Sequence, residues 1–75
     1  MKDIVEHMAR ALVANPAEVV VTERVTEDGI ELSLKVAPED MGKVIGKQGR
    51  IAKAMRVVLK AIATKEGKRC NLEID

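Results

Sequence analysis

Two glycines separated by two polar residues, Gly46-Lys47-Gln48-Gly49, interrupt a long stretch of helical hydrophobic periodicity. One apolar helical pattern ends at Ile45 and another begins at Ile51, so the chain must turn between two helices within a few residues. Glycine adopts positive φ at little cost and lets another backbone come close. A turn that opens a helix also presents unpaired N–H groups and the positive end of the helix dipole. Such a turn is suited to binding phosphate.

Positive charge is concentrated in and after this turn. Residues 43–69 contain nine Lys and Arg residues against a single acidic residue, Glu66. Residues 1–42 instead contain nine Asp and Glu residues against four Lys and Arg residues, and the whole chain has a net charge of only +1. An isolated basic run is usually a solvated helix face. Its coincidence with the glycine turn favours polyanion binding instead.

The first half of the chain is predicted to form a helix followed by a β-hairpin. Apolar residues at helical spacing predict an amphipathic helix over residues 2–14, which Asn15-Pro16 ends. β-Branched residues predict a strand over 18–26, and Asp28-Gly29 is a strong signal for a tight hairpin. Strict alternation of apolar and polar residues then predicts a second, half-buried strand over 30–36.

The second half of the chain is predicted to form two helices and a last strand. Pro38 suits the first turn of a short helix over 39–45, with acidic residues at its positive end. A longer helix is predicted over 50–65, and Gly67 stands just past its end. Alternating apolar residues predict a final strand over 70–75. The core stripe of the long helix is predicted to consist of Ile51, Met55, Val58, Leu59 and Ile62.

The predicted order, α-β-β-α-α-β, constrains the topology of a single domain over residues 1–75. The first two strands form an antiparallel hairpin, whereas the second and third are joined through two helices and should be parallel with a right-handed crossover. Each predicted strand has one apolar face, so the three helices should cover one face of a three-stranded mixed sheet. The fold class is therefore an α+β two-layer sandwich.

Composition limits the chemistry that is open to the chain. It contains no Phe, Tyr or Trp, so bases would have to be contacted by aliphatic side chains, backbone groups or Arg planes. Cys70 is the only cysteine, which excludes an intramolecular disulfide and a multi-thiolate metal site, and we expect it to be a small core residue. Early acidic residues argue against a signal peptide, and no apolar run approaches the ~18 residues of a membrane span. We expect a reduced, cytoplasmic protein without membrane insertion.

The element order, with a G-x-x-G turn between the two crossover helices, resembles a KH domain of the type II (bacterial) arrangement. Val44-Ile45-Gly46-Lys47-Gln48-Gly49 is similar to the family signature, and the resemblance covers essentially the whole chain. In size the chain is similar to the small stand-alone KH proteins of bacteria. One departure is Ala52, where the family often has Ile or Val, and this points to a shallower binding groove.

The resemblance implies binding of single-stranded RNA, about four nucleotides per domain, with the glycine turn clamping the sugar-phosphate backbone. Gly46 and Gly49 would allow close approach of the phosphates, and Lys47 and Gln48 would be the two variable residues of the loop. Apolar surface near the bases would come from Val44, Ile45 and Ile51, and peripheral charge from Lys43, Arg50 and Lys53. The resemblance also implies an RNA chaperone or post-transcriptional regulator that pairs with a larger KH-containing protein and is linked to cell shape and cell-wall biogenesis.

An enzyme is the first alternative, and the residues argue against it. The turn fails the phosphate-binding Walker pattern because only three residues separate Gly42 from Gly46, and Gln48 stands where Ser or Thr would bind magnesium. His7 and Cys70 have no evident catalytic partners. We therefore expect no catalysis, no cofactor, no metal site and no small-molecule substrate.

Two binding alternatives remain open. A DNA-binding helix-turn-helix has a similar outline, but strands on both sides of the helix pair favour the KH arrangement, in which single-stranded DNA is also a conceivable ligand. A protein-interaction module, with a glycine turn that is mainly structural, is the other alternative. On the long helix Ala54, Val57 and Ala61 form an apolar strip away from the basic face. This strip predicts a homodimer interface or a docking surface for a second, larger KH protein.

Overall fold

The computed structural model describes residues 1–74. Its helices and strands follow the predicted order, and their ends differ from the predicted ones by at most two residues, except that the predicted end of the last strand at Asp75 lies outside the described residues. The helices are α1 (Lys2–Leu12), α2 (Met41–Ile45) and α3 (Arg50–Lys65), and the strands are β1 (Val20–Thr26), β2 (Gly29–Lys35) and β3 (Arg69–Ile74). Short 3-10 turns precede β1, α2 and α3, at Pro16–Glu18, Pro38–Asp40 and Lys47–Gly49. None of the three helices in this part of the chain is long and apolar enough to cross a bilayer.

The sheet has the predicted mixed topology, with the strands in the order β1-β2-β3. β1 and β2 are antiparallel, with Thr26 opposite Gly29 at the hairpin. β2 and β3 are parallel, and their register places Leu32 beside Leu72. The α+β fold, three helices with a three-stranded mixed sheet, is confirmed. The two outer strands, β1 and β3, are the edges of the sheet.

The core lies between one face of this sheet and the helices. The register aligns Val21, Leu34 and Ile74 in one row across the sheet, as the alternation of side chains requires. β2 contributes most, with Ile30, Leu32 and Leu34 all buried, whereas Val21 is the only buried residue of β1. Val25 is 73% exposed on the same side of β1 near the hairpin. The predicted apolar face is therefore strong in β2 and weak in the edge strand β1.

The buried side of α3 differs from the predicted stripe. Met55 and Leu59 are buried as expected, but Val58 is 43% exposed, and Ile51 and Ile62 are only partly buried. The rest of the buried side consists of two alanines, Ala52 and Ala63. Small side chains let a helix approach its neighbours closely. α3 is therefore rotated so that its alanines face the core and its β-branched residues are more exposed. The prediction for Val58 was wrong for this reason.

Candidate nucleic-acid interface

The glycine turn contains three residues with positive φ, Gly46, Gln48 and Gly49, on either side of Lys47. α2 ends at Ile45 and Gly46 follows it as the C-cap; the Gly46 N–H donates to the Gly42 carbonyl at 2.8 Å, and its φ and ψ are 75° and 177°. Gln48 (φ 56°, ψ 25°) and Gly49 (φ 73°, ψ 16°) are both left-handed. The Gly49 N–H closes the turn on the Gly46 carbonyl at 3.2 Å. Positive φ favours glycine, which explains both glycines of the motif.

The two glycines nevertheless differ in what surrounds them. A Cβ added to Gly46 would lie 2.6 Å from Cγ1 of Ile51, so the first glycine is required by packing as well as by φ. A Cβ added to Gly49 would meet nothing within 4 Å. The second glycine therefore faces open space. This is the side of the turn that another backbone could approach closely.

The start of α3 continues this surface. Its first turn contains no acidic residue, and within residues 1–74 no side chain caps its N-terminus. Lys47 and Arg50 stand on either side of this helix start, and both are exposed. The positive end of the helix dipole and two exposed cations therefore act on the same small region, an arrangement that attracts anions.

Lys43, the third cation near the turn, has a partner that the sequence analysis missed. Its Nζ lies 3.4 Å from Oδ1 of Asp40, a fully buried residue. The same carboxylate accepts the backbone N–H groups of Ala14 at 3.1 Å and Asn15 at 3.0 Å, which fixes the exit of α1 to the start of α2. Burial disfavours the charged carboxylate, but these two N–H groups and the Lys43 ammonium outweigh it, so the pKa of Asp40 lies below its ordinary value of 3.8. An Asp directly before a short helix was the only sequence signal for this role.

α3 presents a basic flank toward the edge strand β3. Arg56 Nε donates to the Leu72 carbonyl at 3.2 Å, which fixes the direction in which this side of the helix faces. Lys53 and Lys60 lie one turn before and one turn after Arg56, and both are exposed. Lys53 was predicted as a binding residue, but Arg56 was not, because its contact with β3 depends on the tertiary fold. The basic flank, Lys53, Arg56 and Lys60, extends the positive surface away from the glycine turn.

The opposite flank of α3 is apolar and faces α1. Between the two helices lies a groove of about 480 Å³. Its lining is apolar except for His7 and Arg50, and consists otherwise of Met8, Ala11, Leu12, Ile51, Ala54, Met55 and Val58. The predicted interface residues Ala54, Val57 and Ala61 are all exposed, and Ala54 belongs to the groove lining. The structure therefore places basic and apolar surfaces on different sides of one helix.

The remaining predicted residues fall into exposed and buried groups. Lys43, Lys47, Gln48, Arg50 and Lys53 are exposed, and Ile45, Gly46, Gly49 and Ile51 are partly buried around the turn. Val44, predicted to offer apolar surface near the bases, is 0% exposed, so its side chain packs in the core beneath the turn. Ala52 is also buried, so its small size affects helix packing and not a surface groove.

The two candidate reactive residues lie on other elements, β3 and α1. Cys70 is partly buried at the start of β3 and packs against the core, and burial raises the pKa of its thiol. His7 is exposed on α1. Within residues 1–74, no three His, Cys, Asp or Glu side chains are grouped so that they could hold a metal ion.

Comparison with known proteins identifies relatives over the full length of this fold. The family described as KhpA/KhpB, KH domain, matches residues 2–74. The RNA-binding protein KhpA of Clostridium acetobutylicum is 62% identical over 74 residues, covering 99% of this chain and 99% of that protein. The proteins of the same name from Clostridium perfringens (99% of each chain) and Aquifex aeolicus (99% of this chain, 94% of that protein) are 60% and 54% identical. No solved structure gives a significant match. The match of the family over both the glycine turn and the complete α-β-β-α-α-β fold shows that this chain belongs to the KhpA/KhpB family of KH domains.

Proposed function

We propose that this protein binds single-stranded RNA and that the glycine turn clamps the sugar-phosphate backbone. The observation that carries the proposal is the open space at Gly49, beside the uncapped start of α3 and between the exposed Lys47 and Arg50. Its relatives in Clostridium and Aquifex are named RNA-binding proteins. Phosphate groups need close backbone approach and positive potential, and this turn supplies both.

The exposure of the residues around the turn indicates which of them would contact the RNA. The backbone of Gly46–Gly49 approaches the phosphates, Gln48 supplies an amide, and cations are provided by Lys43, Lys47, Arg50 and Lys53. Ile45 and Ile51 offer partial apolar surface, whereas Val44 supports the turn from inside the core. Because the chain has no aromatic rings for stacking, backbone contacts dominate, and we expect micromolar or weaker affinity.

Substitution of Gly49 gives the sharpest test, since a side chain there projects into open space. Binding of a fluorescent single-stranded RNA is measured by anisotropy at two salt concentrations for wild type, Gly49→Asp and Gly49→Asn. Aspartate and asparagine have nearly the same shape and tolerate the same left-handed backbone, so they differ mainly in charge. We expect Gly49→Asp to bind at least about tenfold more weakly than Gly49→Asn, because like charges are brought together at the phosphate site.

The outcomes of this test separate the alternative functions. Equal RNA binding by the two variants would move the site away from the glycine turn. Absence of RNA binding by the folded wild type would favour a protein-interaction module. Competition with matched single-stranded DNA and duplex DNA distinguishes RNA binding from the two DNA-binding alternatives, and the salt dependence reports how many phosphates are contacted.

We further propose that the protein acts as an RNA chaperone or post-transcriptional regulator together with a second KH domain, either in a homodimer or with a larger KhpB-like protein. Support comes from the exposed strip Ala54, Val57 and Ala61, in which Val57 is 67% exposed. This strip is continuous with the apolar groove through Ala54, so the combined surface is larger than isolated exposed residues produce. A second domain would also raise weak RNA affinity through avidity.

Sedimentation of a Val57→Asp variant tests the partner surface. A charge at the centre of a helix interface should lower the oligomer mass, whereas circular dichroism should remain unchanged because Val57 is exposed. Lys60→Asp, on the basic flank, is the control, because it also adds a carboxylate to the exposed side of α3 and changes the net charge by two units, more than the one unit of Val57→Asp. A Val57→Asp variant with the same mass as wild type would exclude this strip as a self-association surface.

A further inference from the structure

Asp40 is the one buried charged residue within residues 1–74, and RNA clamping makes no direct use of it. Its two carboxylate oxygens hold two backbone N–H groups, Ala14 on Oδ1 and Asn15 on Oδ2. The Lys43 ammonium lies 3.4 Å from Oδ1. The Asp40 carboxylate is therefore held both by backbone N–H groups of the α1–β1 connection and by the Lys43 side chain of α2.

The position of Asp40 determines where the Lys43 ammonium can be. Asp40 precedes Lys43 by three residues, whereas the glycine turn begins three residues after Lys43. The ion pair therefore draws the ammonium toward the start of α2, away from the turn. Lys47 and Arg50 are different, because no carboxylate of the described residues pairs with either of them.

We propose that Asp40 is a positioning residue of the RNA site that limits the contribution of Lys43, so that Lys47 and Arg50 are the main phosphate ligands of the turn. The proposal rests on RNA binding at the glycine turn. A phosphate that recruits Lys43 competes with a fully buried carboxylate for the ammonium, and a buried charge that loses its counter-ion is strongly disfavoured. Phosphates at the turn meet no such competition at Lys47 and Arg50.

Single charge removals in the otherwise unchanged protein test the proposal. RNA binding is measured over a range of salt concentrations for Lys43→Gln and Lys47→Gln, with Gly49→Asp as the reference for loss of the site. We expect Lys47→Gln to weaken binding about threefold and to reduce the salt slope by about 0.7, the value for one phosphate contact on a single strand. Lys43→Gln should cause a clearly smaller loss and a smaller change of slope. Equal effects of the two substitutions would overturn the proposal.

Release of Lys43 provides the second test. In an Asp40→Asn background the ammonium has no buried charge to pair with, so adding Lys43→Gln should now weaken RNA binding about threefold. Glu39→Gln is the matched control. It removes the neighbouring Glu39 carboxylate, which accepts a hydrogen bond from the Asn15 side chain, whereas Lys43 pairs with Asp40. If Asp40→Asn does not fold, the comparison of Lys43→Gln with Lys47→Gln still decides the question.

The result also separates this inference from the proposed function. Wild-type binding that is lost in Gly49→Asp, combined with equal effects of Lys43→Gln and Lys47→Gln, leaves RNA clamping intact and refutes the role of Asp40. Absence of RNA binding by folded wild-type protein refutes both.

Discussion

Replacing each glycine of the turn by alanine should destabilise the fold to very different extents. Gly49→Ala introduces a methyl group into open space, so its only cost is the left-handed backbone (φ 73°). That cost is about 1–2 kcal/mol for an L-residue. In a domain of this size each kcal/mol lowers the melting temperature by roughly 4–8 °C. The variant should therefore remain folded at 25 °C.

Gly46→Ala combines two penalties. Its φ of 75° and ψ of 177° lie in a region used almost only by glycine, which costs about 1–3 kcal/mol. The new Cβ would also lie 2.6 Å from Cγ1 and 3.0 Å from Cβ and Cδ1 of Ile51, and such overpacking typically costs a further ~1–3 kcal/mol. A domain of this length has only about 4–11 kcal/mol of stability. Gly46→Ala should consequently remove a large part of it.

Urea denaturation followed by far-UV circular dichroism measures both values, since the chain has no aromatic residue for fluorescence. A double-mutant cycle with Ile51→Ala isolates the steric part. Removing Cγ1 and Cδ1 should reduce the cost of Gly46→Ala by about 1–2 kcal/mol. The cost of Gly49→Ala should not change, because Ile51 does not approach that Cβ position. Equal costs for the two alanines, or no coupling to Ile51, would refute this account of the turn.

Three further outcomes follow from burial, charge and pKa. Leu59→Ala should lower the unfolding free energy by about 2–5 kcal/mol, whereas Val58→Ala should cost less than about 1 kcal/mol because Val58 is 43% exposed; both are measured by urea denaturation. Because folding lowers the pKa of Asp40 below 3.8, its carboxylate stabilises the protein above that pH, and this stability is lost as the pH falls through the folded-state pKa. The difference in unfolding free energy between wild type and Asp40→Asn should therefore be largest near neutral pH and shrink in acid. Arg56→Gln should weaken RNA binding and reduce its salt slope by about 0.7 if the basic flank carries a phosphate.

The order and pairing of the elements could be predicted because each signal is local. Residues 30–36 alternate so regularly that only a half-buried strand satisfies them, and Asp28-Gly29 predicts the tight hairpin, although the two loop residues are Glu27 and Asp28 and Gly29 begins β2. The two helices between β2 and β3 then require a parallel pair, and the structure confirms it. Local periodicity and chain connectivity are sufficient for this level of the fold.

The rotation of α3 could not be predicted, because alanine carries little hydrophobic signal. Ala52 and Ala63 are buried because α3 packs against β3 and α2, and that packing is a property of the assembled fold. Val58 has the stronger apolar signal and yet lines a groove on the surface. In β1, Val25 is exposed because it lies at the hairpin end of an edge strand, beyond the part that the helices cover. Burial of single residues depends on such long-range geometry.

The site shows the same division. The position of the glycine turn and its exposed cations Lys47 and Arg50 could be read from spacing and charge. The sequence did not indicate that Val44 is fully buried, that Asp40 pairs with Lys43, or that Arg56 contacts β3. Each of these depends on residues that are distant in sequence or on the direction in which a helix face points.

The geometry of α3 explains how a chain with a net charge of only +1 can present a surface for a polyanion. Phosphate binding responds to local potential, and the cations of the basic flank lie on the side of the helix fixed by the Arg56–Leu72 hydrogen bond. The apolar groove lies on the opposite flank, against α1, so a partner bound there would leave the basic flank open but would contact Arg50, which lines the groove. In the proposed function, a partner in the groove and a phosphate at the glycine turn would therefore share Arg50. Substitutions of Val57 and Ala61, which do not line the groove, should then alter assembly and avidity while leaving the salt slope of a single domain unchanged.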